Sequence, residues 1–178
     1  MSASDRLQPA PATWAAADGT VVTIRPVRRE DLALEQEFVG ALSASSGYRR
    51  LMSTRRPSLE ELKRFTDPDH EREVALIATM LLEGRERQIG VARYVKESPA
   101  GDAEFAIVLS DDWQGRGLGT RLLASLVAAA KSQGVRRLVG TTHADNGGML
   151  ALASKLGFKA DLDPRLAMIA NLTLDLAV

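Results

Sequence analysis

The sequence predicts one mixed α/β domain. Three observations carry that prediction: apolar alternating runs interspersed with helical periodicities, a meander of three successive strands near mid-chain, and a glycine-rich strand-to-helix turn directly after it. Its 178 residues are enough for a single core and too few for two ordinary domains. With 45% hydrophobic and 26% charged residues, and 23 basic side chains against 23 acidic ones, the composition argues against disorder and against a polyanion-binding surface. No nucleic-acid partner is expected. The absence of cysteine excludes disulfides, thiolate metal sites and thiol nucleophiles, and two histidines are too few for a zinc site, so no metal is expected. Carboxylates, backbone groups and a cofactor are left to do the chemistry.

Met1 to Ala17, rich in Ala, Pro and Ser around a lone Trp14, reads as a flexible lead, with the ordered domain expected over 21–178. No secretory signal and no apolar run near ~20 residues is present, so the expectation is a soluble, cytoplasmic protein without a membrane partner. Val21 to Arg25 alternates as a strand that Pro26 ends. Glu30 to Leu42 places Leu34, Phe38 and Leu42 on one helical face, with Glu35 and Glu37 outside. Ser58 and Glu61 form a capping box at the start of a short helix running to Phe65. Val74 to Leu82 and Gln88 to Val95 are strands around a turn at Gly84, and Glu104 to Leu109 is a third. From Leu118 the period becomes helical, through Leu122 and Leu126, until Gly134. Arg137 to Thr142 is the next strand, Asn146 caps a helix that Gly157 stops, and Leu172, Leu174 and Leu176 alternate in a closing strand.

The segment Asp111 to Thr120 is the sharpest chemical feature. Glycines there let the backbone approach a ligand, and the free amides of the following helix, with roughly half a positive charge from its dipole, suit a phosphate or diphosphate. A P-loop would require Gly-Lys-Ser/Thr and a dinucleotide fingerprint a glycine at 120; the chain has Gly119-Thr120-Arg121 and matches neither.

Gln114-Gly115-Arg116-Gly117-Leu118-Gly119 resembles the diphosphate loop of the GNAT superfamily of acyl-CoA-dependent N-acetyltransferases. Asn146 to Leu150 and Lys155-Leu156-Gly157-Phe158 resemble its second cofactor-contacting helix and terminal Gly-Phe. Further segments, Ile24 to Val27, Ser43 to Arg50, Glu73 to Ala78 and Ala103 to Val108, resemble the catalytic domain of Pat-type bacterial protein lysine acetyltransferases. The resemblance implies a mostly antiparallel sheet flanked by helices, acetyl-CoA as co-substrate and a protein lysine as acceptor. It places the pantetheine arm on Ile107, Val108 and Leu109, with the Val108 amide toward the thioester oxygen. The diphosphate falls on Gln114, Gly115, Arg116, Gly117, Leu118, Gly119 and Thr120, with Asn146 near the thiol.

A lysine acceptor is protonated at neutral pH, and only about one molecule in a few thousand is nucleophilic at a pKa near 10.4, so a base is needed. Glu104 matches the family's glutamate base; His143 is the reserve candidate. The main departure is Ala153, where many members carry a tyrosine that protonates the leaving thiolate. A thiol with a pKa of about 8.5 leaves near neutral pH with little acid help. Arg49, Arg50, Arg55 and Arg56 form a basic cluster that suits either a cofactor phosphate or a solvated loop. The rival readings are a small-molecule amine acetyltransferase and a non-catalytic acyl-CoA-binding module.

Overall fold

A computed structural model describes residues 8–46, 55–98 and 101–176. Its strands are β1 (Ala12–Ala15), β2 (Val21–Pro26), β3 (Glu73–Leu82), β4 (Arg85–Lys96), β5 (Asp102–Leu109), β6 (Arg137–His143), β7 (Lys159–Leu162) and β8 (Ile169–Asp175). Its helices are α1 (Leu32–Ala41), α2 (Leu59–Thr66), α3 (Leu118–Ser132) and α4 (Gly147–Lys155). The eight strands form one sheet in the order β1-β2-β3-β4-β5-β6-β8-β7. Every neighbouring pair is antiparallel except β5 with β6. No described helix is long and apolar enough to cross a membrane.

Side-chain alternation along the strands supplies two apolar faces. On one, Leu118, Leu122 and Leu126 of α3 pack against Leu76, Ala92 and Phe105, with Ala153 of α4 and Phe158 continuing the layer. On the other, Phe38 and Leu42 close over Ala75, Ile77, Val91 and Val108. The helix α1 is seated by charge as well. Arg25, at the end of β2, donates two 2.8 Å hydrogen bonds to Asp31 and a further pair to Glu86. This pairing with Asp31 raises the guanidinium pKa above its ordinary value.

Three expectations give way here. The lead is not without structure to residue 20: Ala12–Ala15 pairs with β2 and brings Trp14 against the body of the protein. The strand Lys159–Leu162 has no counterpart in the sequence reading, because it pairs only with β8 and all four residues are exposed, leaving no apolar alternation to see. Glu35 lies inside, 1% exposed, where Gln88 donates a 2.5 Å hydrogen bond to its carboxylate. The buried stripe of this helix and its entry is therefore Asp31, Glu35, Phe38 and Leu42, while Leu34 is only half-buried.

The feature that positions the site is the parallel pair. β5 and β6 are in register only at Asp102↔Arg137, Ala103↔Leu138 and Glu104↔Val139, although both strands continue, to Leu109 and His143. Gly140 is the first β6 residue beyond the pairing. A Cβ there would lie 2.7 Å from Cε1 of Phe105 and 3.1 Å from its carbonyl oxygen, so the Phe105 ring occupies the space of the missing side chain. The ring also meets Phe158, with centroids 5.0 Å apart. Gly140→Ala should lower stability by about 1–3 kcal/mol, as overpacking against backbone does, and urea unfolding measures the loss.

Candidate active site

Hydrogen bonds at the two ends of the β4–β5 ladder fix which way each β5 peptide faces. The Glu97 amide donates to the Asp102 carbonyl and the Ser110 amide to the Ile89 carbonyl, over an unbroken register between them. Even-numbered residues of β5 therefore turn their backbone groups to β4 and odd-numbered ones turn theirs toward β6. Past Glu104 no β6 pairing answers the odd set, so the peptides of Ile107 and Leu109 open into the wedge between the parting strands. The Val108 amide is a correction: it faces Val91 in the ladder and is not the donor available to a thioester oxygen. Its side chain still lines the cleft.

That wedge opens into a cleft of about 640 Å³. One wall is Ile107, Val108 and Leu109; the rim is Gln114, Gly115, Gly117, Gly119 and Thr120. The opposite wall comes from α4, with Asn146, Met149, Leu152 and Lys155 among its residues. Two helices begin at this rim, neither with an acidic residue in its first turn, and α3 has no side-chain cap at all. Its first amides therefore keep their donors for a ligand, and both dipoles present positive ends. Among the described residues, Lys155 is the only charged one that lines the cleft. This arrangement suits an anion.

The turn between β5 and α3 needs glycine at two positions, Gly115 with φ 70° and Gly117 with φ 89°. A Cβ on Gly115 would meet nothing within 4 Å and would project into open space at the rim; one on Gly119 would lie 3.2 Å from Leu152. These residues fit the diphosphate of a coenzyme. Two expected members do not line the cleft. Leu118 is fully buried in the core, and the Arg116 side chain is drawn aside, paired with Asp18 and 4.1 Å from the centre of the Trp113 ring. Asn146 is a helix cap, as its spacing suggests: its Oδ1 accepts from the Met149 amide at 3.2 Å while its Nδ2 donates to Thr142.

Glu104 occupies the last paired position before the strands part, exposed on the face that carries α1, and its side chain makes no hydrogen bond or ion pair among the described residues. Three residues of strand, about 10 Å, separate it from Ile107, the first residue of the cleft. Ala153 is fully buried and has no proton to give. His143 ends β6 four residues beyond Val139, the partner of Glu104, and does not line the cleft. Arg55 is held by Glu61 in two hydrogen bonds of 2.7 and 2.9 Å, which together with the Ser58 amide lower the Glu61 pKa to about 2. It is thus fastened to the start of α2. Arg49 and Arg50 lie outside the described residues.

Two residues that brace the site stand in the sequence only as members of longer segments, Ser46 within Ser43 to Arg50 and Asp111 at the head of Asp111 to Thr120, and neither is singled out there as a site residue. Ser46 lines the cleft, and its Oγ donates to Asp111 and accepts from the side-chain Nε2 of Gln114 at 3.1 Å. Asp111 also accepts from the amide and hydroxyl of Ser43, so the chain leaving α1 is tied to the chain leaving β5. The adjacency of Asp111 to the glycine loop was a usable signal; for Ser46 the signal was its place in the Ser43 to Arg50 segment.

A family model described as an acetyltransferase (GNAT) domain matches residues 22–159. An acetyltransferase of Pseudomonas aeruginosa is 34% identical over 148 residues, covering 83% of this chain and 80% of that one. Among solved structures, the GNAT domain of S. lividans PAT superposes with a TM-score of 0.82 at 27% identity, over 94% of this chain and 98% of its own. A GNAT superfamily phosphinothricin acetyltransferase from Sinorhizobium meliloti, in complex with acetyl-CoA, shares the fold with a TM-score of 0.70 at 22% identity, over 88% and 89%. Forcing an L side chain into the left-handed region at Gly117 costs about 1–2 kcal/mol. Gly117→Ala is therefore expected to raise the Kd for acetyl-CoA about tenfold by calorimetry.

Proposed function

This chain belongs to the GNAT family of acetyl-CoA-dependent N-acetyltransferases, and on that premise we propose that it acetylates a primary amine, a protein lysine side chain, by direct attack in a ternary complex. One observation carries the proposal: the exposed carboxylate of Glu104 stands where β5 and β6 part, at the closed end of the wedge whose open end is the anion-binding rim.

Acetyl-CoA supplies the activated acetyl group as its thioester. In this reading the rim amides from Gly115 to Thr120 hold the diphosphate, and the wedge-facing peptides of Ile107 and Leu109 hold the arm. The Ile107 peptide and the Leu109 amide, left without β6 partners, are the donors and acceptor that such an arm needs, while the Leu109 carbonyl accepts from Gln114 Nε2. Glu104 receives the proton of the incoming ammonium, directly or through one water, and passes it to solvent, so that the neutral amine, about 4–5 kcal/mol above the ammonium at neutral pH, forms beside the thioester. With alanine at 153, the thiolate departs without a side-chain acid from that position and takes its proton from solvent. Fixed distance along a rigid strand does the rest, because acceptor and thioester need no search once both are seated.

The protein acceptor is supported by the Pat-type resemblance and by the openness of the face: Glu104 and Ala106 are both exposed, so an amine carried on a bulky chain can reach the carboxylate. Glu104→Gln should reduce kcat about 100-fold or more while leaving the Kd for acetyl-CoA unchanged. Incubating cell extract with labelled acetyl-CoA and this enzyme should place label in the macromolecular fraction. Label confined to metabolites would transfer the assignment to a small-molecule amine.

A further inference from the structure

We propose that the first hairpin is part of the donor site, and that Trp14 is a positioning residue which holds the Gly115–Gly117 turn in its binding shape. The proposal rests on the reading of that turn as the diphosphate cradle.

The contacts converge on the turn from one side. Atoms Cζ2 and Cη2 of Trp14 lie 3.7 and 3.9 Å from where a Cβ of Gly117 would be. The guanidinium of Arg121, one turn into α3, is 5.4 Å from the centre of the Trp14 ring. Just after β1, Asp18 pairs with Arg116, the residue between the two left-handed glycines. Residues 116, 117 and 121 are thus each met by the hairpin. Trp14 itself is half-buried and does not line the cleft, so it touches the ligand only through the turn.

Such bracing answers a physical need. Glycine loses more conformational freedom on ordering than any other residue, and the cradle depends on two glycines within three positions. Left unsupported, the turn would be ordered by the ligand, at the expense of affinity. A wide, stiff aromatic ring against the second glycine supplies the order beforehand at low entropic cost.

Calorimetry with two ligands tests this: coenzyme A, and S-acetylpantetheine, which has no phosphate. Trp14→Ala should raise the Kd for coenzyme A about tenfold and leave that for S-acetylpantetheine within about twofold. Trp14→Phe, which keeps a ring, should bind coenzyme A within about threefold of the unaltered protein. Trp14→Leu keeps apolar volume if the alanine variant does not fold, and should also weaken coenzyme A alone. Unchanged coenzyme A affinity in the alanine or leucine variant, or equal weakening of both ligands, overturns the proposal. Gly117→Ala separates the two levels. If it weakens coenzyme A and the Trp14 variants do not, only the hairpin's role fails; if it too has no effect, the cradle reading fails and takes the proposal with it.

Discussion

The parting of β5 from β6 is the constraint on which the rest of this molecule depends. Two parallel strands that stayed in register would satisfy each other's peptides and leave no cleft. Here a glycine on one strand admits a phenylalanine ring from the other, and Phe158 braces that ring from beyond α4. Pairing ends at Glu104, the odd-numbered peptides of β5 beyond it lose their β6 partners, and backbone groups without ladder partners are left for something else to satisfy, as Gln114 Nε2 does for the Leu109 carbonyl. The helices then follow from where the strands lead: α3 starts beyond the end of β5 and α4 beyond the end of β6, which brings both N-termini to one mouth.

How much of this was legible in the sequence depends on the range of the interaction involved. Ser58 and Glu61 are three residues apart, and they form the capping box expected of them, at 3.2 and 2.7 Å. The turn at Gly84 is likewise local, and the backbone there adopts φ 50° and 77° at Glu83 and Gly84. The glycine loop announced itself because its neighbours in space are its neighbours in sequence. Glu35 did not, since its partner Gln88 is 53 residues away and helical periodicity alone treats a carboxylate as an outward residue. β1 and β7 escaped notice because a short, mostly exposed strand carries no burial pattern to read.

The Val108 amide illustrates a finer limit. Composition and motif pointed to the right stretch of β5, but the choice between adjacent peptides is a matter of parity, and parity is set by β4. A shift of one residue in that ladder would exchange every inward peptide for an outward one. Ser46 is a related case: its place in the cleft comes from Asp111, which gathers Ser43 and Ser46 from a segment 65 or more residues earlier. The donor half of the site is therefore written mostly in local motifs. The half that borders α1 is written in tertiary contacts.

β5 addresses two partners in two perpendicular directions. Its peptide groups lie in the plane of the sheet and its side chains stand out of that plane, so in the proposed arrangement the thioester is read by the spine of the strand and the amine by what hangs from it. Mutation rewrites only the second of these. A lineage built on such a strand can exchange one clientele of amines for another, residue by residue, while its grip on a common acyl currency passes unaltered through every intermediate.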